Sequence, residues 1–596
     1  MKTFTLAKRQ VASANTIASS YFLAVRLPLK KIISRSEMAR LDALAALLML
    51  TGSAAWAAGP DLAVTPFIPG AGAILQSVQP PSLPQPSSIE TGLSLQSKAN
   101  TQLPPSAPFM VKSIRFIGNT VFTADLLREL VKDAEGKALT LEQVGELADR
   151  ITDYYQGHGY PLARAIVPAQ TIQEGAVTFQ VIEARYGKVV LDNKSGVGDT
   201  LLSATLSTLQ PNDLISKDKL NQALLLLSDI PGMTVEVIAQ PGQTVGTSDL
   251  VLNVAPLPMV TGSAFVDNSG SRYTGQDRVG ANVNISNPLH HGDVLSATAL
   301  SSGRGMTYGQ LSYETLLNGR GTRVGGSGSG LHYVLNSIGH GTADVASLWV
   351  KQPLVRSQSH NVYAQLQVDS LRLNDLVDTD KSQKDRKLLN TSISLNGDVR
   401  DLLPQGLTSW KAALTAGHVS FSNQAAQLYD AQTVQTQGNF VKYSIWGNHQ
   451  QPLTAKDSLY LAFSGQTANT NLDPSQKMTL GGPNSVRAYA TGAISGDNGT
   501  LLTVELRHLL DGALFGTEGL WQVMAFVDSA HVSINKIPRV SGINQATLSG
   551  GGIGLLWAGA KQLTVQLTLA ERIGSLPALI TSSPKVRAWA VVSKGF

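Results

Sequence analysis

Apolar and polar residues alternate strictly at residues 562–569, which read QLTVQLTL. Similar alternation occurs at residues 458–463 and again from Val586 to the terminal Phe596. A period of two residues is typical of a β-strand whose two faces meet different surroundings. Between residues 258 and 596 the sequence contains about sixteen such runs, each of roughly 9–15 residues.

Turn residues separate these runs, for example Asn287-Pro288, Asn318-Gly319 and Pro404-Gln405-Gly406. An even number of strands with one apolar and one polar face predicts a transmembrane β-barrel at residues 258–596. A soluble β-sandwich alternates as well, but a single sandwich typically uses only about 100 residues. A Phe that ends the last strand also favours the membrane interpretation.

Residues 1–58 have the organisation of an export signal. A basic N-terminal segment precedes the apolar run at residues 44–50. Ala55-Trp56-Ala57 then places small residues at the positions that a signal peptidase recognises. The apolar run is shorter than the about 20 residues that cross a bilayer, although an N-terminal membrane anchor is the alternative. Because the basic N-terminal segment is long, translation could start at Met1 or at Met38.

Residues 59–108 are rich in Pro, Ser and Gln, which predicts an extended linker. Within it, Ala71–Val78 is the one piece able to form a short helix. A small helix on a long linker can lie far from its neighbours in the sequence.

Residues 109–184 and 185–257 each predict the order strand, helix, helix, strand, strand. Thr140 and Gln143 form a capping-box pattern at the start of one helix. Neither unit contains a nucleophile–base pair or a phosphate-binding loop. We therefore expect α+β binding modules whose exposed sheet edge accepts an incoming strand.

Composition excludes several classes of function. The net charge of +5 is small for 596 residues, so we expect no nucleic-acid partner. The chain has no Cys, which excludes disulfides and thiolate sites, and its ten His residues lack ligand spacing. We expect no metal, no cofactor and no enzymatic activity.

Residues 480–489 read LGGPNSVRAY and cannot continue a strand, because Gly and Pro interrupt the hydrogen-bond ladder. They belong to a gap of roughly 30 residues between strand-like runs, and gaps of this length are usually functional or disordered. A solvated surface loop is the alternative to a functional one.

These features resemble the two-partner secretion transporters, the TpsB proteins of the hemolysin-activator type, whose superfamily includes the barrel-assembly insertases. The matching stretches are 159–161 (GYP), 167–170 (VPAQ), 266–268 (VDN), 273–275 (YTG), 287–289 (NPL) and 486–489 (VRAY). The resemblance implies two polypeptide-transport-associated (POTRA) domains, at 109–184 and 185–257, before the barrel.

The resemblance also implies that the loop folds back into the barrel lumen. Its motif is Val486, Arg487, Ala488 and Tyr489, and the matching wall motif at 526–530 contains Phe526 and Asp528. An Arg in a lumen of low dielectric constant needs an anion, and Asp528 is such a group on an alternating strand; the alternative is that Asp528 faces lumen water. Ala488 and Ala530 stand where the superfamily often has Gly.

The function implied is export of one large partner protein across the outer membrane. The POTRA domains, in the periplasm, would bind the partner's unfolded N-terminal secretion domain, and the helix at 71–78 would plug the pore. Further expected partners are outer-membrane lipid and, during biogenesis, the barrel-assembly machinery and periplasmic chaperones. A barrel insertase is the main alternative, and a diffusion porin and an outer-membrane enzyme are weaker ones.

Overall fold

The computed structural model describes residues 69–78, 93–95, 105–335, 338–378, 380–512, 518–539, 541–580 and 583–596. The predicted export signal at residues 1–58 lies outside these ranges, and so does most of the predicted linker. Two pieces of the linker region are described: helix α1 (Ala71–Val78) and the short strand β1 (Leu93–Leu95).

The first α+β unit contains a three-stranded sheet with two helices packed on it. Its elements are β2 (Phe109–Met110), β3 (Ser113–Ile117), α2 (Ala124–Val131), a one-turn 3-10 helix (Lys132–Ala134), β4 (Ala138–Leu139), α3 (Leu141–Gly157), β5 (Arg164–Ile166) and β6 (Ala176–Ile182). The strand order is β3-β6-β5, while β2 and β4 pair separately. The predicted capping box of Thr140 and Gln143 is present at the start of α3.

The second α+β unit repeats this arrangement. Its elements are β7 (Arg185–Asn193), α4 (Asp199–Leu206), α5 (Lys217–Ser228), β8 (Met233–Pro241) and β9 (Thr247–Pro256). The strand order is β7-β9-β8, and β1 pairs in parallel with the outer edge of β8. The sheet therefore gains a fourth strand from the linker region, which the sequence did not predict.

The remaining strands form a closed barrel of sixteen antiparallel strands, which confirms the predicted fold class. The first eleven are β10 (Val260–Asp267), β11 (Arg278–Ser286), β12 (Val294–Ser301), β13 (Met306–Leu316), β14 (Arg323–Leu335), β15 (Gly339–Arg356), β16 (His360–Val377), β17 (Gln383–Arg400), β18 (Leu407–Phe421), β19 (Gly438–Pro452) and β20 (Asp457–Ala468). A helix, α6 (Gln424–Gln432), lies between β18 and β19.

A separate hairpin, β21 (Met478–Leu480) and β22 (Ile494–Gly496), interrupts the series after β20. The barrel then continues with β23 (Asn498–Leu510), β24 (Leu520–Ser533), β25 (Gln545–Ala558), a one-turn 3-10 helix (Ala560–Gln562), β26 (Leu563–Arg572) and β27 (Val586–Gly595). Strand β27 pairs with β10 to close the wall, and Phe596 exchanges two backbone hydrogen bonds with Gly262 at 3.0 and 3.1 Å.

The outer face of the barrel is apolar, as the alternation predicts. Leu348, Ile393 and Leu567 are exposed on it, whereas the adjacent Ser347, Ser394 and Thr568 face the inside of the barrel. Exposed apolar side chains on alternate positions suit contact with lipid. Among the described residues, no helix has the length and apolar character needed to cross a bilayer.

The second α+β unit sits against one rim of the barrel, which we call the near rim. The turn between β11 and β12 contacts it: His290 Nδ1 lies 2.7 Å from the carbonyl oxygen of Gly196, and the N–H of Gly198 donates to the carbonyl of His290 at 2.9 Å. Strand β10 leaves this rim directly after β9. The loop between β20 and β23 therefore starts and ends at the opposite, far rim.

Candidate functional site

The loop between β20 and β23 folds into the barrel and packs against its inner wall. Val486 and Ala488 are 0% exposed and Tyr489 is 1% exposed, and they pack in one cluster with residues of β24, β25 and β26. This part of the loop is therefore not a solvated surface loop. Because the loop is buried, Arg487 in the middle of the motif places its charge inside the lumen.

Arg487 forms a two-pronged ion pair with Asp528 on β24. Its Nε donates to Asp528 Oδ2 at 2.8 Å, and its Nη2 donates to Oδ1 at 2.7 Å. The backbone N–H of Arg487 donates to the same carboxylate at 3.1 Å. Parallel bonds to a planar carboxylate fix both distance and orientation, which a single contact could not do.

A second carboxylate, Glu505 on β23, completes the site and was missed by the sequence analysis. Arg487 Nη1 donates to Glu505 Oε1 at 2.6 Å, and Arg507 Nη2 donates to Oε2 at 2.6 Å. Thr503, on the same strand, donates its hydroxyl to Asp528 Oδ1 at 2.9 Å. The signal in the sequence was a Glu on an inward-facing position of β23, on the same face as Thr503 and Arg507.

Aromatic residues fix the remaining sides of Arg487. Its Cζ lies 3.3 Å from the centroid of the Phe526 ring, which is a cation–π contact. Trp589 on β27 donates its indole N–H to the carbonyl oxygen of Arg487 at 2.8 Å. The loop is thus tied to β23, β24 and β27 through one residue.

Ala488 fits because the wall provides space for its methyl group. A Cβ placed on Gly550 of β25 would lie 2.4 Å from the Ala488 Cβ, so Gly550 leaves the gap that the methyl fills. Ala530 is buried in the same cluster. The two Ala residues at positions where Gly is common are therefore both accommodated.

Helix α1 lies inside the barrel against β14, β15 and β16, and most of its side chains are buried. The N–H of Ala71, at its N-terminus, donates to Asp375 Oδ1 on β16 at 2.7 Å. A carboxylate at this end also interacts favourably with the helix dipole. Asp375 is itself held by hydrogen bonds from Tyr333 and Arg386.

Arg386 connects this contact to the inserted loop. Its Nη1 donates to Asp473 Oδ2 at 2.7 Å, and Asp473 accepts the backbone N–H of Ser475 at 2.9 Å. The carbonyl oxygen of Ser475 accepts a hydrogen bond from Gln76 of α1. One chain of contacts therefore holds the helix near both ends.

A cavity of about 840 Å³ remains in the lumen between the helix, the loop and the wall. Gln76 lines it from the helix, Asn484 and Arg487 from the loop, and Lys411 and Lys442 from the wall. Charged and polar side chains share its lining with apolar ones, whereas the exposed side chains on the outer face of the same strands are mainly apolar. The lumen is thus partly filled by segments that form no part of the wall's hydrogen-bond ladder.

A sixteen-stranded barrel with an apolar outer face, a polar lumen and α+β modules at one rim defines an outer-membrane β-barrel transporter. Comparison with known proteins identifies the type. Residues 246–556 match the haemolysin secretion/activation protein family ShlB/FhaC/HecB, and residues 109–184 match the ShlB-type POTRA domain. The chain belongs to this family.

Two curated relatives extend along most of the chain. It is 25% identical over 495 residues to the heme/hemopexin transporter protein HuxB of Haemophilus influenzae (strain 86-028NP), which covers 80% of this chain and 85% of the relative. It is 23% identical over 486 residues to the outer membrane transporter CdiB of Dickeya dadantii (strain 3937), which covers 79% and 84%.

A solved structure shares the fold. CdiB from Escherichia coli aligns with a TM-score of 0.65 at 20% identity, over 85% of this chain and 94% of that chain. The chain is therefore a TpsB-type transporter of the outer membrane that acts in two-partner secretion of a partner protein, with periplasmic POTRA domains. The family is one of secretion proteins, and not of the insertases that the sequence left as an alternative.

Proposed function

We propose that the chain passes one large, unfolded partner protein from the periplasm through the barrel lumen to the cell surface. The observation that carries this proposal is that the lumen is occupied by α1 and the inserted loop, which only side-chain contacts and short backbone contacts hold in place. A lumen filled in this way is closed at rest, and release of α1 alone opens a path through it without opening the wall. We assign the POTRA domains to residues 109–184 and 185–257.

The partner's N-terminal secretion domain binds the POTRA domains in this proposal. Both units present sheets with outer edges, and extended peptides bind sheet edges through backbone hydrogen bonds. Such recognition suits an unfolded substrate, because it needs no preformed surface on the partner.

Helix α1 is the plug of the resting pore, and Arg487 holds the inserted loop in its working position. The helix contributes to closure because its side chains are buried among those of β14, β15 and β16. The loop stays in the lumen during transport, since Arg487 has two carboxylate partners and an aromatic one.

Folding of the partner outside the cell supplies the free energy for transport, since the sequence contains no phosphate-binding loop. The barrel itself depends on outer-membrane lipid, on periplasmic chaperones and on the barrel-assembly machinery for its insertion. Cleavage near Ala57 precedes these steps.

The test is to delete the gene for this chain and compare the proteins in the culture medium with those of the parent strain. One large protein should disappear from the medium and return on complementation. A second strain should carry the chain without residues 109–184; it should keep a barrel that migrates differently on a gel before and after boiling, yet secrete nothing. An unchanged medium in both strains would contradict the proposal.

A further inference from the structure

The short strand β1 occupies the outer edge of the second POTRA sheet. Leu93, Ser94 and Leu95 pair in parallel with Val237, Ile238 and Ala239 of β8. The edge that the sequence predicted as a binding surface is thus partly covered by the chain's own linker region. Strand addition by a segment of the same chain uses the same backbone groups that an incoming strand would use.

Side chains and turns already use backbone groups at the other sheet edges. On β5, the N–H of Ala165 bonds to the hydroxyl of Thr152 at 3.0 Å. On β3, the N–H of Ile114 bonds to Glu135 Oε1 at 3.3 Å. On β7, Tyr186 exchanges backbone bonds with residues 212–213 at 2.8 and 2.9 Å. Each of these edges therefore has a backbone group that is already bonded, which hinders the addition of a further strand at that position.

Strand β8 is different because its partner at the edge is short and poorly matched to it. It runs from Met233 to Pro241, whereas β1 pairs only with residues 237–239. Parallel pairing is also slightly less stable per residue than antiparallel pairing. A longer strand could therefore replace β1 and gain hydrogen bonds in doing so.

We propose that the outer edge of β8 is the acceptor for an extended segment of the secreted partner, and that β1 is an internal placeholder which this segment displaces. The inference rests on the proposed function and names the edge at which recognition occurs. The ligand class is an unfolded polypeptide in β conformation that offers four or more residues for pairing.

The placeholder also connects recognition to the pore. Strand β1 follows α1 in the chain and precedes the first POTRA domain, so residues 79–92 alone join it to the plug helix. While β1 is paired, this connection is held at both ends. Displacement of β1 frees one end, which lets the helix leave the lumen when a partner has bound and keeps it there otherwise.

The first test uses the full-length protein in detergent and a labelled synthetic peptide with the sequence of residues 89–100. In the wild type, β1 competes at the high effective concentration of a tethered strand, so the peptide should bind weakly. Ser94→Pro removes a backbone donor and disfavours β1, and this variant should bind the peptide at least about tenfold more tightly. Ser88→Pro, in the same linker but outside β1, is the matched control and should behave as the wild type.

The second test locks the placeholder in the paired state. Residues paired across neighbouring strands lie about 5 Å apart, within the range of a disulfide, and the natural chain contains no Cys that could interfere. Oxidised Ser94→Cys/Ile238→Cys should secrete at least about tenfold less partner than the same protein after reduction. Ser94→Cys/Thr234→Cys, whose positions are about 13 Å apart along the strand, should remain unlinked and active.

The outcomes separate this inference from the proposed function. Equal peptide binding by the wild type and Ser94→Pro, no binding by either protein, or full secretion by a completely cross-linked pair would each overturn the placeholder. None of these results would affect the transport role, which fails only if deletion of the chain leaves the medium unchanged. Heat-modifiable migration of each variant shows that its barrel is inserted and folded.

Discussion

Arg356, at the periplasmic end of β15, holds Asp229 of the second α+β unit through two parallel hydrogen bonds. Its Nε lies 2.7 Å from Asp229 Oδ2 and its Nη2 lies 2.8 Å from Oδ1. The Arg356 side chain is only 1% exposed, and its Nη1 donates to Asn361 at 2.9 Å. Because Asp229 directly follows helix α5, the pair fixes this helix to the barrel wall.

Asp229→Ala should loosen the second α+β unit and leave the barrel intact. Loss of Asp229 leaves the buried Arg356 guanidinium without its ion-pair partner, but the cost falls below the about 3–5 kcal/mol of a fully buried pair because Asp229 is 32% exposed. The cost falls on the contact between domain and barrel, since the barrel ladder is untouched. Hydrogen–deuterium exchange should become faster in α5 and in the turn between β11 and β12. Asp213→Ala breaks an exposed pair with Lys219 and serves as the control; equal exchange in both variants would contradict the prediction.

Arg487→Ala should reduce secretion more strongly than Asp528→Ala. The first change removes the cation that pairs with Asp528 among the described residues, whereas after the second change Arg487 still has Glu505 as a partner. The double variant should secrete little less than Arg487→Ala, because the two residues act through one contact. Arg487→Lys should rescue only partly, since an ammonium cannot form the paired contact of a guanidinium. The measurement is partner protein in the medium, normalised to inserted barrel.

A control for this series is Arg278→Ala, which breaks an ion pair with Asp267 between β10 and β11. It removes an Arg–carboxylate pair from the same barrel that is linked to the loop indirectly, through Ser269 and Thr491, and it should secrete far more than Arg487→Ala. If the fold-loss of secretion in the double variant equalled the product of the losses in Arg487→Ala and Asp528→Ala, the two side chains would not act as a pair.

Much of this architecture could be predicted from the sequence because it depends on local patterns. Alternation with period two gives the strands and their faces, and Thr140 with Gln143 gives the start of α3. Arg487 and Asp528 could be paired in advance because the stretches around them resemble the loop and wall motifs of the family, and a buried cation requires an anion. The strands and the start of α3 follow from a few neighbouring residues, whereas this pair required the resemblance.

The remaining contacts depend on how the barrel closes, which no local pattern determines. Glu505 reaches Arg487 because the register between β23 and β24 sets it opposite Phe526. Asp375 reaches the N–H of Ala71 although 304 positions separate them in the chain. The pairing of β1 with β8 was likewise hidden, because a three-residue strand within a Pro-rich segment has no distinctive period.

Acid pH should destabilise the first POTRA domain through Glu183. Burial opposes ionisation of this carboxyl group, but hydrogen bonds from Thr120, Val121 and Tyr155 outweigh it and hold its pKa below the ordinary value of 4.5. Because the pKa is lowered in the folded state, the stabilisation is fully present above pH 4.5 and is lost as the pH falls through the folded-state pKa.

Glu183→Gln should therefore destabilise the domain at pH 7 by about 1.5–3 kcal/mol, the range for hydrogen bonds to a charged group. Hydrogen–deuterium exchange at residues 120–121 should be faster than in the wild type at pH 7, and the difference should shrink at a pH below the folded-state pKa. A difference that is unchanged by pH would mean that the charge of Glu183 contributes nothing.

Release of helix α1 from the lumen should follow from two unrelated changes. Arg386→Ala removes the cation between Asp375 and Asp473, which leaves both carboxylates without their common partner. Gly72→Ala leaves every charge in place, but its Cβ would lie 2.6 Å from the backbone nitrogen of Ser475, which cannot move aside as a flexible side chain could.

Both variants should raise the conductance of the purified channel in planar bilayers and the sensitivity of cells to antibiotics too large for ordinary porins. If the binding of the helix to the lumen is weakened by about 3 kcal/mol, the ratio of open to closed channels rises by about a hundredfold. The combined variant should open the channel little further than either single one, because both changes release the same helix. Arg372→Ala, on the outward-facing side of β16, is the control and should conduct as the wild type does. A closed channel in both variants would show that α1 is not what blocks the pore.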